Sequence, residues 1–131
     1  MSCPSALYTV NTNYSVVEGA DVPFGNIVRR YGRNCQLNGG GISLIGGGYY
    51  DIESTFTFTP TGAGDVTVQF YQDGLGIPGA VATFAGTAGS AVTVPIICLV
   101  RNCGGSCNTT ITASVSAAGV VNNFATKIEK A

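Results

Sequence analysis

The stretch GGGYYDIESTFTF, residues 46 to 58, alternates apolar and polar side chains along most of its length. A period of two places successive side chains on opposite faces of a β-strand. One face of this segment is aromatic and aliphatic, and the other carries carboxylates and threonines. The pattern therefore predicts a strand with one buried face. The residues expected on that face are Tyr50, Ile52, Phe56 and Phe58.

Similar short segments recur along the whole chain. Runs rich in Val, Ile, Thr and aromatic residues are separated by glycine, proline and Asp-Gly turns every 8 to 12 residues or so, which predicts an all-β sandwich or barrel. The loop at residues 60–64, PTGAG, is expected to join its two flanking strands in a β-hairpin. The predicted strands are 6–10, 24–30, 41–45, 49–59, 65–72, 77–84, 91–100, 109–117 and 120–128.

The composition points to extensive burial of apolar surface. The chain has 131 residues, which predicts one domain; 45% are hydrophobic and only 10% are charged, against about 25% charged in an average globular protein. Such a chain must hide its apolar surface by deep packing or in an oligomer interface. The segment 91–100 is apolar on both faces of its predicted strand, so we expect it to be covered on both sides.

Charge and hydropathy argue against two classes of partner. A net charge of −1 at pH 7 supplies no long-range field for nucleic acid or for an anionic membrane. No stretch reaches the roughly 18 consecutive apolar residues of a membrane span. The N-terminal residues lack the basic and apolar segments of a signal peptide. We therefore expect synthesis in a cytoplasm, with neither nucleic acid nor membrane as a partner.

The sequence carries no catalytic or cofactor motif. It contains no histidine and no G-x-S-x-G motif, so nucleophilic catalysis has no support. The triple glycines at 39–41 and 46–48 are not followed by the Lys-Ser/Thr of a phosphate-binding loop. We expect a protein that is not an enzyme, with no catalytic residue, no cofactor-binding residue and no cofactor.

The five cysteines favour a disulfide over a metal site. Structural zinc needs four nitrogen or sulfur ligands at close spacings such as C-x2-C, and neither this spacing nor histidine occurs. Cys98 falls on an apolar phase of its strand and is expected to be a small core residue. A disulfide is expected among Cys35, Cys103 and Cys107, because the glycines of the CGGSC loop let the chain bend. At least one cysteine stays free or pairs between chains, and Cys3 is the candidate.

The arginines of the segment RRYGR, residues 29–33, allow two interpretations. Arginine beside an aromatic residue can bind phosphate, an anionic glycan or an acidic patch of a capsid, or stack on bases. Alternation instead sends Arg29 and Arg30 to opposite faces of a strand, where one can pair with Asp51 or Glu53 and the other faces solvent. We favour this structural interpretation, because the net charge of the chain is negative.

Two groups of segments resemble a known family. GYYDI at 48–52 and VTVQFYQDG at 66–74 resemble the C1q/TNF-like jelly-roll family, in which a G-x-Y strand precedes a strand ending in an N-G or D-G turn. The segment PFGNIVRRYG at 23–32, followed by I-x-L and G-Y-Y, is similar to short phage head-fibre and capsid-decoration proteins. The resemblance implies a β-sandwich jelly roll of about 8–10 strands in two antiparallel sheets. It would form a single domain over residues 1–131, with residues 1–21 as an N-terminal strand and candidate attachment segment.

The resemblance also implies an assembly and a function. Family members form homotrimers in which one sheet faces the threefold axis. The implied function is a non-enzymatic structural protein of the virion, a capsid decoration or head fibre. It would be made in the bacterial cytoplasm and bound to the major capsid protein or another virion component. The alternative is a trimeric receptor- or glycan-binding adhesin of a phage or bacterial surface, with a host glycan between protomers. The implied interface residues are Tyr49, Asp51, Glu53, Ile97 and Leu99.

The carboxylates of Asp51 and Glu53 share one strand face. They could form half of a glycosidase pair, but acidic pairs are common on solvent-facing strands, and we favour a solvated or subunit-facing role. Around a threefold axis, three copies of both residues would gather six carboxylates. The two residues are therefore the candidates for an axial ion such as calcium, and no other metal site is expected.

Overall fold

The computed structural model describes residues 5–103 and 108–130, and the regular structure in these ranges is entirely β. None of the described segments forms a helix of the length and hydropathy needed to cross a membrane. The ten strands are β1 (Ala6–Val16), β2 (Asn26–Tyr31), β3 (Cys35–Asn38), β4 (Gly41–Ile45), β5 (Gly48–Pro60), β6 (Gly64–Gln72), β7 (Leu75–Gly86), β8 (Val92–Asn102), β9 (Asn108–Val115) and β10 (Gly119–Lys130).

The strands form two five-stranded antiparallel sheets. The first sheet has the order β2-β1-β10-β5-β8, and the second sheet has the order β3-β4-β9-β6-β7. The two sheets face each other across one cluster of buried side chains. This arrangement confirms the prediction of an all-β sandwich with two antiparallel sheets. The C-terminal strand β10 lies in the middle of the first sheet, between β1 and β5.

Strand β5 contains residues 48–58 of the opening stretch, and its burial follows the predicted alternation. The four apolar residues expected on the buried face are completely buried, whereas Asp51 and Glu53 are exposed on the opposite face. In β8, Ile96 and Val100 are buried, while Ile97 and Leu99 point away from the core. Within one chain the strand is therefore covered on one side, whereas the sequence predicted cover on both.

The hairpin predicted around residues 60–64 is wrong. Strand β5 pairs with β10 and β8 in the first sheet, whereas β6 pairs with β7 and β9 in the second sheet. The loop therefore carries the chain from one sheet to the other. Both strands have one strongly apolar face, and a crossover lets these two faces meet across the core instead of lying side by side in one sheet.

The tight hairpin in this region is formed one strand later. Gln72 and Leu75 are paired, so β6 and β7 are joined by the two residues Asp73 and Gly74. Their φ angles are 51° and 84°, and two positive φ values are what a type I′ turn requires. The Asp73 carboxylate accepts a hydrogen bond from the Thr110 amide, and the Asp73 amide donates one to the Thr110 carbonyl oxygen, at 2.9 Å in each case. These bonds attach the turn to β9.

Aromatic rings from both sheets fill the centre of the core. Phe124 of β10 packs against Phe24, Phe56 and Phe70, with ring centroids 5.1 to 5.9 Å apart. Phe58 stacks on Phe56 at 5.7 Å. Two of these contacts are edge-to-face and two are stacked, which are the arrangements that aromatic quadrupoles favour.

Two strands differ from the sequence prediction. Strand β1 runs six residues beyond the predicted segment 6–10, because its polar second half still pairs with β10 up to Val16. Strand β3 was not predicted at all. It has four residues, and only Cys35 is fully buried, so it offers too short a pattern to be recognised from alternation.

The Asp73–Gly74 turn leads to a matched pair of substitutions. A Cβ added at Gly74 or at Gly62 would meet no atom within 4 Å, but only Gly74 has a positive φ. We expect Gly74→Ala to lower the free energy of unfolding by about 1–2 kcal/mol. Gly62→Ala should be neutral or stabilising by about 0.4–1 kcal/mol, because alanine lowers the conformational entropy of the unfolded chain. Urea unfolding of the two variants checks this, and equal stabilities would contradict the type I′ assignment.

Candidate functional site

The outer face of the first sheet, which points away from the core, carries all five residues predicted for an interface. Tyr49, Asp51 and Glu53 come from β5, and Ile97 and Leu99 come from the neighbouring strand β8. The β5–β8 register pairs Asp51 with Leu99 and Glu53 with Ile97, so the five side chains form one continuous patch. The structure brings the predicted residues together on one surface.

The patch is unusually apolar for a surface exposed in a single chain. Ile97 is 67% exposed and Leu99 is 59% exposed, and they are neighbours on the same strand face. Tyr49 beside them is 51% exposed. Single exposed apolar residues are ordinary, but a contiguous group of large apolar side chains marks an interaction surface.

Lys127 forms ion pairs with two glutamates on this outer face. Its ammonium group lies 3.2 Å from a Glu53 carboxylate oxygen and 3.3 Å from one of Glu129, because β10 runs next to β5. The hydrogen bonds to Glu53 and then to Glu129 raise the pKa of Lys127 above its usual value of 10.5. Glu53 is therefore engaged in an ion pair within its own chain.

Two grooves cross the same face. The first has a volume of about 310 Å³ and follows the middle of the sheet, and the second, of about 450 Å³, lies against β1 and β2 at the edge. The first is lined by Tyr8, Glu53, Thr55, Pro95, Ile97 and Lys127, among others. The second is lined by Ala6, Tyr8, Arg29, Arg30, Tyr31 and Lys127, among others. Both are shallow and open, so the face offers surfaces for docking instead of an enclosed reaction chamber.

Tyr8 and Lys127 belong to this face but were not predicted as site residues. The register across β1 and β10 places Tyr8 opposite Lys127, and Lys127 opposite Glu53. Alternation within each strand predicts which face Tyr8 and Lys127 lie on, but it does not predict the order of the strands in the sheet. Because β10 lies between β1 and β5, both residues are next to the predicted patch.

The predicted pairing of Arg29 or Arg30 with Asp51 or Glu53 is wrong. In the part of the chain that the structure describes, the ion pairs are those of Lys127 with Glu53 and Glu129. Arg29 lies opposite Tyr8 on β1, so two strands separate it from β5. Every residue of β2 is exposed, and both arginines point into solvent at the sheet edge.

Asp51 and Glu53 do not form a metal site within one chain. Across residues 5–103 and 108–130, no group of three or more cysteine or carboxylate side chains is arranged to hold a metal ion. The axial ion would require carboxylates from three chains, and it stays a prediction.

The cysteines divide into free thiols and a disulfide. Cys35 is a free thiol that is completely buried, so of the three candidates Cys35, Cys103 and Cys107 it is the one left out of the disulfide. Cys98 is also free and partly buried, as expected for a small residue packed against the core. Cys103 is disulfide-bonded. Cys107 and Cys3 lie outside the described residues.

The outer face of the second sheet has a different chemistry. It is covered with hydroxyl groups that bond across the strands: the Thr67 and Thr83 hydroxyls are 3.1 Å apart, and the Ser114 hydroxyl donates to the Tyr71 hydroxyl at 3.1 Å. Exposed apolar residues occur there mainly on the edge strand β7, where Val81 lies opposite Gln69 and is 45% exposed. The two outer faces of the sandwich are therefore suited to different contacts.

Comparison with solved structures shows the same fold in two other settings. A crystal structure of murine APRIL at pH 5.0 is similar with a TM-score of 0.76 and 13% identity, covering 98% of this chain and 99% of that chain. A second murine APRIL structure, at pH 8.0, has a TM-score of 0.66, 16% identity and the same coverage. PRD1 vertex protein P5 has a TM-score of 0.63 and 15% identity, covering 96% of this chain and 72% of that chain.

These similarities confirm the predicted C1q/TNF-like jelly roll. No protein-family model matches the sequence, and no curated protein matches it. At 13% to 16% identity the solved structures show the fold of this chain and nothing of its activity.

The buried thiols predict a loss of stability at alkaline pH. Burial raises the pKa of Cys35 to about 12 and that of Cys98 to about 11, from 9.0. The unfolded chain therefore releases these protons first as the pH rises above about 9. We expect the free energy of unfolding, measured in urea, to fall progressively as the pH rises from about 9 towards 12. Cys35→Ala should give a shallower fall, and identical slopes would contradict the assignment.

Proposed function

We propose that this protein is a non-enzymatic structural component of a phage virion, assembled as a homotrimer through the outer face of the first sheet. It would act as a capsid decoration or head-fibre protein, made in the host cytoplasm and bound to the major capsid protein or another virion component. The observation that carries the proposal is the contiguous exposed patch of Tyr49, Ile97 and Leu99 on a chain with only 10% charged residues.

A second copy of the chain is the partner that best suits this face. The apolar side chains Ile97 and Leu99 stand at the β8 edge of the first sheet, and the larger groove lies at its β2 edge. Two different complementary patches at opposite sides of the sheet make a head-to-tail contact, and such contacts close into a ring when the rotation between neighbours allows it. A ring of three would place the apolar outer face of β8 of each protomer in the groove of the next.

Charge supports the same arrangement. Asp51 lies opposite Leu99 in the β5–β8 register, whereas the groove at the other edge is lined by Arg29 and Arg30. None of these three residues forms an ion pair within the described part of the chain. Arg29 shares the outer face with Tyr8, so docking Leu99 in the groove of a neighbour would bring the Asp51 carboxylate towards Arg29, which favours association in this direction.

The assignment to a virion is supported by two observations of different kinds. The segments at 23–32 and 48–52 resemble short phage head-fibre and decoration proteins. The structural similarity to PRD1 vertex protein P5 spans 96% of the chain. The similarity to murine APRIL is at least as strong, so it is the sequence resemblance that favours a virion over other settings.

The trimer is tested with a matched pair of charge substitutions. Leu99→Asp places a carboxylate in the proposed interface, and Leu75→Asp places one at a leucine of similar exposure on the second sheet. Sedimentation velocity at micromolar concentration should give about three times 13.3 kDa for the wild type and for Leu75→Asp. Leu99→Asp should be monomeric and folded. A monomeric wild type would contradict the trimer.

The virion assignment has a separate test. We expect the protein to co-sediment with phage particles from infected cells and to appear in their mass spectra in proportion to the copies of a capsid site. An epitope-tagged chain should remain bound after the particles are washed in high salt. Recovery only from the soluble host fraction would contradict the virion role and leave the trimer unaffected.

A further inference from the structure

A polar pocket of about 290 Å³ lies on the outer face of the second sheet. Its volume is near the lower limit of about 300 Å³ for small-molecule sites, so it suits one small ring instead of an extended ligand. It lies within a single chain, on the side of the sandwich opposite the proposed trimer contact. The residues that line it are Gly19, Asp21, Tyr71, Gly74, Thr112 and Ser114.

The carboxylate of the pocket is placed by the backbone. Asp21 forms an isolated bridge with Ser114 of β9, and the flanking amides of Gly19 and Val22 donate to the carbonyl oxygens of Val115 and Ala113 at 3.0 Å and 2.8 Å. Val22 is buried in the core, so alternation turns the exposed Asp21 towards the outer face. These contacts hold Asp21 in register with the sheet although it lies outside the named strands.

Tyr71 provides an aromatic surface beside this carboxylate. It is paired with Thr112, but its hydroxyl accepts a hydrogen bond from Ser114, two residues further along β9, at 3.1 Å. To make this contact the half-buried ring must lie across the sheet instead of standing away from it. One ring face is then available from the solvent side, and the phenol keeps its own proton for an acceptor in the pocket.

The lining groups select the chemistry of a ligand. Hydroxyl groups of Thr112 and Ser114, the Tyr71 phenol and the Asp21 carboxylate offer hydrogen-bond donors and acceptors within one small volume. The lining contains no lysine and no arginine, so phosphate, sulfate and carboxylate ligands would meet a negative charge without compensation. The glycines leave the rim open. A neutral ring with several hydroxyl groups fits these conditions, since its apolar face can cover Tyr71 while its hydroxyls reach Asp21.

We propose that this pocket binds a neutral hexose unit of a glycan, with Asp21 accepting hydrogen bonds from two sugar hydroxyls and Tyr71 beneath the ring. This places glycan recognition within one protomer, whereas the sequence analysis expected it between protomers. The site does not rest on the proposed trimer.

The test is ligand-observed NMR with defined probes on the full chain. Saturation transfer is measured to the methyl glycosides of glucose, galactose, mannose and N-acetylglucosamine at about 10 mM, and to that of sialic acid as an anionic probe. The variants are Asp21→Ala and its matched control Asp65→Ala, an exposed aspartate at the other end of the same outer face. Tyr71→Phe removes the phenol and keeps the ring.

We expect transfer to at least one neutral probe and none to the sialic acid glycoside. Asp21→Ala should weaken binding about tenfold, because a hydrogen bond to a charged group is lost, and Tyr71→Phe should weaken it less. Asp65→Ala and the monomeric Leu99→Asp should bind like the wild type. The proposal would be overturned if no neutral probe received saturation transfer, if the anionic probe bound more strongly, or if Asp21→Ala and Asp65→Ala had equal effects on binding.

Discussion

The packing of Phe124 against Phe24, Phe56 and Phe70 fixes which side chains of β5 and β10 point into the core and which point out. Phe124 and Phe56 are directly paired on adjacent strands, so their contact sets the phase of β10 and β5 together. A slip of one residue would move all the apolar side chains of a strand to the opposite face. The aromatic cluster prevents that slip. The rings in the core therefore place Glu53 and Lys127 on the outer face of the sheet.

The same constraint explains why a chain with so few charges has two different outer faces. In the first sheet, β8 has apolar residues at both phases, and burying Ile96 and Val100 necessarily exposes Ile97 and Leu99. In the second sheet the outward hydroxyl groups bond across the strands, Thr67 with Thr83 and Ser114 with Tyr71. Covering the outer face of the first sheet therefore lowers the free energy. On the other outer face, the polar groups already form hydrogen bonds with one another and with water.

Alternation in the sequence was sufficient to predict the sandwich and the faces of β5 and β8, because the period of two is a local property of the chain. It could not predict which strands are paired. The loop at 60–64 was expected to close a hairpin and instead crosses between the sheets. Arg29 or Arg30 was expected to pair with Asp51 or Glu53, but two strands separate β2 from β5. Strand order depends on contacts between residues far apart in sequence, such as Phe124 with Phe24. The pocket at Asp21 and Tyr71 was missed for the same reason.

The four edge strands explain why association is directed to a face. An exposed edge is a template for strand addition, and proteins protect it with charge, proline or shortness. Here β2 carries Arg29 and Arg30, β8 contains Pro95, β7 contains Pro78, and β3 has only four residues. Proline is tolerated in β7 and β8 because each is paired on one side only. The edges are protected in this way, and the outer face of the second sheet is polar. Burial of the apolar outer face of the first sheet against another chain is therefore the contact that lowers the free energy most.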